Sequence, residues 1–169
     1  FRVREVLTIP GNDPDAETLL WQDMRLQDVE TKPLDGKIHI SGDLLVFAVY
    51  SAGGGQMPVQ CFEETVPFSG NVELTESAED MIPFITVKLV HRDMELQPDS
   101  DGEMREISVD AVMELDIRLY EEEQVELLGD LYALDREAVP ETGTVCFDTL
   151  AVRNQVKTKI QEKVQLTGR

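Results

Sequence analysis

The sequence predicts an all-β protein: an antiparallel, sandwich-like β domain built from two similar hairpin-containing halves, with one short helical turn near the N-terminus. Two observations predict this fold class. A pattern of strand, Asp-Gly turn and long strand ending in tyrosine occurs twice, around Asp35-Gly36 and around Asp101-Gly102. In the second copy, residues 107–119 alternate between apolar odd positions and mostly polar even positions, which is the period of a strand with one covered face.

The first segment is predicted to hold a strand and then the helical turn. Phe1–Ile9 alternates weakly and is closed by Pro10-Gly11, as a strand would be. Asp13-Pro14 then offers a helix N-cap followed by proline at the first helical position. We therefore expect one or two helical turns after Pro14, with Trp21 folded onto the β core.

The first copy of the duplicated pattern is predicted to form three strands, over Met24–Lys32, from Lys37 to Tyr50, and over Val59–Phe68. The apolar residues of the middle strand change parity, because Ile38 and Ile40 are even whereas the later set is odd (Leu45, Phe47 and Val49). A slip of one residue at a glycine is typical of a β-bulge. The sequence therefore predicts a bulge in this strand at Gly42-Asp43.

The second copy is predicted to form a hairpin, with strands Phe84–Met94 and Ile107–Tyr120 joined by a turn over Gln97–Glu103. The odd-numbered side chains of its last strand should face the core (Ile107, Val109, Ala111, Met113, Leu115, Ile117 and Leu119). Burial of such a stripe is worth on the order of 10–20 kcal/mol before entropy.

The C-terminal part has a weaker pattern. Glu121–Leu134 is strand-like at Val125 and Leu127, and Asp135–Gly143 is a linker. Val145–Leu166 fits a strand or a helix, and its β-branched residues favour the strand. We therefore divide the chain into 1–23 (lead-in strand and short helix), 24–134 (β domain with duplicated parts 24–74 and 84–134) and 135–169 (linker and terminal basic strand). The last segment resembles the opening strand, so it could begin a next repeat.

The net charge of −19 and the pI near 4.3 limit the classes of partner. A polyanion repels nucleic acid and anionic lipid, so we expect neither nucleic acid binding nor membrane insertion. The longest hydrophobic run, Leu44–Tyr50, has the length of a strand. Because the chain begins at Phe1 rather than Met, we expect it to be a segment of a longer protein.

The charge is unevenly distributed, because residues 151–169 are basic whereas the rest of the chain is acidic (the cations are Arg153, Lys157, Lys159, Lys163 and Arg169). Two interpretations remain open. The basic strand could lie beside acidic neighbours in the same fold, or it could be a charged docking edge for another unit.

No group of residues has the pattern of a metal or cofactor site. Asp99–Gly102 is similar to the start of a calcium loop, but Gln97 and Ser108 stand where an EF-hand needs acids. Gly53–Gly55 lacks the Lys-Ser/Thr of a phosphate loop. His39 and His91 have no third ligand in view. We expect no metal and no cofactor.

No nucleophile or acid pair has the pattern of a catalytic site. The two cysteines, Cys61 and Cys146, lie among apolar residues and are expected to be buried free thiols, as suits a reducing compartment. Glu63-Glu64 and Glu121–Glu123 are adjacent acids, which point to opposite sides in a strand instead of across a cleft. The sequence therefore predicts no catalytic residues and a protein that is not an enzyme.

Four short motifs occur in order along the chain: Asp28-Val29 ahead of Leu34-Asp35-Gly36-Lys37, then Ile40-Ser41-Gly42-Asp43-Leu44, Val66-Pro67-Phe68-Ser69-Gly70 and Asp130-Leu131-Tyr132. Together they resemble the SPOCS domain, which is found in sporulation and spore-coat assembly proteins of clostridia and their relatives. The resemblance covers roughly Met24 to Leu134. In that family, tandem copies are common, often ahead of a C-terminal LysM module, of which this chain has no signature.

The resemblance implies a non-enzymatic scaffold that makes protein–protein contacts during spore-coat assembly, in the mother-cell cytoplasm and associated with the forespore or spore coat. The implied partners are other coat-assembly proteins or neighbouring copies of the same domain. We expect contact by strand-edge pairing and charge complementarity, with the basic Val152–Arg169 strand as one candidate edge. The resemblance supplies no partner-binding residues, so these stay open.

An alternative from another class is a carbohydrate- or small-ligand-binding β-sandwich at the cell envelope. Such a site needs exposed aromatic side chains, yet aromatic residues make up 6% of the chain and most are expected at inward strand positions. The partner, the oligomeric state and the number of repeats in the full-length protein stay open.

Overall fold

A computed structural model describes residues 1–53, 59–75, 81–129, 134–135, 139, 141–152, 158, 160 and 162. The chain divides into two compact units, Phe1–Gln124 and Val125–Arg169. In the described part of the chain, all regular secondary structure is strand and lies in the first unit. The strands are β1 (Arg2–Thr8), β2 (Ala16–Leu34), β3 (Lys37–Ala52), β4 (Val59–Glu73), β5 (Ile82–Pro98) and β6 (Met104–Tyr120).

The strands form two antiparallel sheets of three, which confirms the all-β prediction. Sheet A has the order β1-β6-β5 and sheet B has the order β2-β3-β4. The central strands are therefore β6 and β3, the long strands that follow the two Asp-Gly turns. Because pairs in an antiparallel ladder point the same way, the registers define which side chains share a face.

Each of the two predicted turns closes a hairpin. Leu34 pairs with Lys37 in the first hairpin, and Pro98 pairs with Met104 in the second. Gly36 has φ 67° and Gly102 has φ 85°, in the left-handed region that glycine reaches without a Cβ clash. The Asp-Gly signal is therefore explained by backbone conformation in both copies.

The predicted helical turn near the N-terminus is wrong, because β2 already begins at Ala16. Ala16 pairs with Ala52 and Leu19 with Tyr50, so this segment extends along β3. Two register shifts, between Ala16 and Thr18 and between Leu19 and Trp21, interrupt the alternation that would have indicated a strand. Trp21 is 52% exposed, so its predicted place on the core is also wrong.

The bulge near Gly42 lies on the neighbouring strand, not on β3 as predicted. β3 keeps an unbroken register with β4 across Gly42, whereas β2 shifts between Gln27 and Glu30. Asp28 within that shift has φ 48°, an uncommon conformation for a residue other than glycine. Gly42 is needed there, because a Cβ would lie 3.0 Å from the Cα of Val29 and 3.0 Å from a ring carbon of Phe68.

One hydrophobic core draws side chains from both sheets. β3 supplies its even-numbered residues throughout (Ile40, Leu44, Val46, Ala48, Tyr50 and Ala52), and β6 supplies the predicted odd-numbered stripe as far as Met113. Beyond Met113 the stripe is only partly buried. A bulge at Gly42-Asp43 would have turned the odd-numbered Leu45, Phe47 and Val49 toward the core, but they point to the other face of sheet B.

The predicted strand around Val125 and Leu127 is not formed, since residues 121–129 have no regular structure. Both apolar side chains are 57% exposed, and they follow the like charges of Glu121–Glu123, which repel one another. Residues 141–152 are irregular as well. Most of the remaining Val145–Leu166 segment and the Asp130–Tyr132 motif lie outside the described residues.

Candidate interaction surfaces

The outward face of sheet A is charged. On the central strand β6 this face consists of Ser108, Asp110, Val112, Glu114, Asp116 and Arg118, as the alternation in the sequence predicted. Arg2 donates two hydrogen bonds to the Asp110 carboxylate, one of them from Nε at 2.7 Å, and Arg4 Nε donates another at 3.1 Å. These bonds, with Arg2 the main cause, lower the pKa of Asp110 to about 2.

The outward face of sheet B is apolar in its half nearest the Ala52 end of β3. We name as the β3 patch the outward side chains Trp21, Leu45, Phe47, Val49 and Cys61. Register pairs Trp21 with Val49 and Val49 with Cys61, so these residues share one face. Trp21 packs edge-on against Phe47, with ring centroids 5.5 Å apart. Large side chains thus meet on a side of the sheet that faces away from the core.

A shallow depression of ≈ 350 Å³ lies on the β3 patch. Its lining combines Trp21, Leu45 and Phe47 with three charged side chains (Asp23, Arg25 and Glu63). Asp23 accepts a hydrogen bond from Arg25 Nε at 2.6 Å, and its other oxygen lies 3.5 Å from Arg92 of β5. The patch is therefore apolar at its centre and bordered by charges of both signs.

A second exposed aromatic pair lies at the far end of sheet A. Phe84 and Tyr120 have ring centroids 5.2 Å apart in an edge-to-face arrangement, and they are 39% and 51% exposed. Together with Trp21, they correct the expectation that most aromatic side chains would point inward. Tyr120 occupies an even, outward position of β6. A single apolar residue at such a position looks like an exception to the alternation, so the pattern alone did not indicate an exposed aromatic pair.

The loop before β2 is held by Arg105, a residue that sequence reasoning missed. Its guanidinium donates to the backbone oxygens of Pro10 at 3.1 Å and Asp13 at 2.6 Å, and lies 2.6 Å from the Asp15 carboxylate. The Arg105 side chain is only 15% exposed. In the sequence, Arg105 is distinguished only by its place just after the second Asp-Gly turn. That place gives no information about the loop at residues 10–15, which is about 90 residues earlier in the chain.

The residues weighed as metal ligands are used otherwise or lie apart. Asp99 Oδ1 accepts hydrogen bonds from the backbone N–H groups of Asp101 at 2.9 Å and Glu103 at 3.0 Å, which builds the hairpin turn. His39 lies on β3 of sheet B and His91 on β5 of sheet A. Within the described ranges, no three His, Cys, Asp or Glu side chains come together as a metal site. Gly54 and Gly55 lie outside the described residues.

The cysteines and adjacent acids have different surroundings from those expected. Cys61 and Cys146 are free thiols, but both are exposed, so the expectation of burial is wrong. For Cys61 the reason is register: it pairs with Val49 on the outward face of sheet B. Glu63 pairs with Phe47 and Glu64 with Val46, so these two carboxylates diverge to opposite faces as predicted.

The basic segment Val152–Arg169, the predicted docking edge, falls almost entirely outside the described residues. Over the residues that are described, no helix has the length and apolar character to cross a membrane.

The sequence model of the SipL family's SPOCS domain matches residues 15–97, which contain β2, β3, β4 and most of β5. No curated protein and no solved structure matches the chain. The match includes three of the four motifs quoted from the sequence, and it confirms the resemblance drawn from them. Residues 15–97 are therefore similar to the SPOCS domain of SipL.

Proposed function

We propose that this chain is a non-enzymatic protein–protein interaction module that acts in spore-coat assembly, in the mother cell at the forespore surface. The observation that carries the proposal is the SPOCS match over residues 15–97, a domain associated with sporulation. The form of the molecule supports it: two sheets present broad outward faces, one charged and one apolar at its centre. Surfaces of this kind suit recognition of other proteins.

The proposal includes the packing of the two sheets as a β-sandwich. Side chains of both sheets share one core, and Phe1 of the β1 end lies 5.9 Å from Phe68 of β4 between ring centroids. In such a sandwich the two outward faces point in opposite directions. A single module could then contact two partners at once, as a scaffold requires.

The test is localisation and cross-linking of the full-length protein in sporulating cells. A photo-reactive amino acid at Phe47 samples the outward face of sheet B, and one at Val112 samples the outward face of sheet A. We expect the protein to surround the forespore and to cross-link to coat-assembly proteins or to another copy of itself. Uniform distribution in the mother cell, with no cross-links from either position, would contradict the proposal.

One observation favours carbohydrate binding as a second candidate function. Trp21 is exposed beside Asp23 and Glu63, and a sugar ring can stack on an indole while carboxylates accept its hydroxyl hydrogen bonds. Trp21 is the only tryptophan in the chain, so its fluorescence reports on this patch alone. A saturable change in emission with a defined oligosaccharide, weakened by Asp23→Asn and by Glu63→Gln, would support this function.

A further inference from the structure

The two central strands differ in the chemistry of their outward faces. On β6, the outward side chains from Ser108 to Arg118 are polar or charged, with Val112 as the exception. On β3, Leu45, Phe47 and Val49 follow one another on the outward face. An antiparallel sheet with one covered side normally carries polar residues on the other. The apolar side chains of the β3 patch therefore indicate that a surface covers it.

The charges bordering the patch complement one another across the sheet. Arg25 lies on the edge strand β2 and Glu63 on the opposite edge strand β4, opposite Leu45 and Phe47, respectively. The other anion on this border, Asp23, lies between Arg25 and Arg92, so the β2 side of the patch keeps an excess positive charge. A surface with a cation on one side and an anion on the other can pair with an identical surface that is turned by two-fold symmetry.

We propose that the β3 patch is the site at which a second copy of this chain binds, face to face. A two-fold axis along β3 places β2 of one copy over β4 of the other. Arg25 of each copy then lies near Glu63 of its partner, and the two apolar centres exclude water between them. This inference deepens the proposed function by naming a partner and a surface, and it rests on that function only for its biological purpose.

The net charge makes the salt dependence of binding a test that distinguishes a second copy from other occupants of the patch. Two chains that each carry −19 repel one another at long range, so added salt should strengthen their association by screening. A cationic protein partner would show the opposite dependence, because salt weakens attraction between opposite charges. A saccharide is uncharged or nearly so, and its binding should respond little to salt.

The first experiment compares two valines that occupy equivalent places. Val49 and Val112 are both partly buried, outward-facing residues of a central strand. Analytical ultracentrifugation of the full chain, from micromolar to millimolar concentration, should show a monomer–dimer equilibrium. Val49→Lys should weaken dimerisation about tenfold or more, since it buries a charge at the centre of the contact. Val112→Lys should leave the dissociation constant unchanged.

The second experiment exchanges the two border charges. Arg25→Glu and Glu63→Arg should each weaken the dimer, and the double variant should restore much of the loss, because the pair is re-formed with its signs reversed. Arg118→Glu is the matched control. Like Arg25, Arg118 lies two residues after the aspartate with which it pairs, and its side chain is similarly exposed, at 67% against 71%.

Three outcomes would overturn the proposal. The chain could remain monomeric at every concentration and salt level, or dimerise with equal affinity in wild type and Val49→Lys. The third is a monomer in which Trp21 fluorescence responds to a saccharide, which would give the patch a different occupant. Failure of the dimer in solution leaves forespore localisation untouched, so the two proposals are tested separately.

Discussion

The guanidinium of Arg105, at the start of β6, lies 2.6 Å from the carboxylate of Asp15, just before β2. The same guanidinium donates hydrogen bonds to the carbonyl oxygens of Pro10 and Asp13. One side chain therefore holds the segment that joins sheet A to sheet B. This clamp replaces the predicted helical turn, since it fixes the chain in an extended course into β2.

We expect Arg105→Ala to lower the free energy of unfolding by about 2 kcal/mol, because several charge-assisted hydrogen bonds to a largely buried group are lost. The carboxylate of Asp15 is half-exposed and can recover water, which keeps the loss moderate. Urea unfolding followed by circular dichroism measures the difference.

The control for Arg105 is Arg118→Ala, which removes an exposed guanidinium from the outward face of sheet A. We expect that change to alter stability by about 0.5 kcal/mol or less. Equal effects of the two substitutions would show that Arg105 does not hold the loop.

The features predicted correctly from the sequence, the two turns and the alternation along β6, depend on interactions between residues close together in the chain. The Asp-Gly turns required residues that accept positive φ, and the alternation along β6 is visible because that strand is regular and covered on one side only. Both therefore appear in the structure. The β2-β3 and β5-β6 pairs follow directly from these turns, whereas the pairing of β1 with β6 joins the first strand to the last.

The failures have physical causes as well. Register shifts near Thr18 and Trp21 break the alternation of β2, so its start looked helical. β3 is apolar on both faces after Gly42, and a second apolar face is indistinguishable in sequence from a change of phase. The contacts of Arg105 span distant parts of the chain, which no local pattern encodes. In the sequence, the apolar residues of the β3 patch therefore had the appearance of a bulge.

The depressed pKa of Asp110 makes stability depend on pH in the acid range. Its pKa is about 2 in the folded chain against about 3.9 when unfolded, so the contribution of this carboxylate is complete above pH 4 and is lost as the pH falls through 2. A carboxyl NMR titration should show a midpoint near 2. Arg2→Gln should raise that midpoint more than Arg4→Gln, because Arg2 is the larger cause. A wild-type midpoint near 3.9 would contradict the bonded geometry.

Gly42 can be tested against Gly11 with the same chemical change. A Cβ on Gly42 would meet the backbone of Val29 and Gln27 at 3.0 and 3.1 Å, whereas one on Gly11 meets nothing within 4 Å. We expect Gly42→Ala to lower the free energy of unfolding by about 1–3 kcal/mol, since the β2 bulge must shift. Gly11→Ala should be within about 0.5 kcal/mol of wild type. Indistinguishable urea midpoints would mean that the bulge does not press on Gly42.

The adjacent residues Leu44 and Leu45 decide which face of β3 is the core face. Leu44 is fully buried, with 0% of its surface exposed, whereas Leu45 is partly exposed on the outward face. Leu44→Ala should cost about 2–5 kcal/mol, because it leaves a cavity between the sheets. Leu45→Ala should cost about 1 kcal/mol or less when unfolding is measured at concentrations where the chain is monomeric. If Leu45→Ala were the more damaging change, the odd-numbered residues would form the core as the sequence first indicated. The outward β3 patch would then not exist, and the face-to-face dimer would lose its surface.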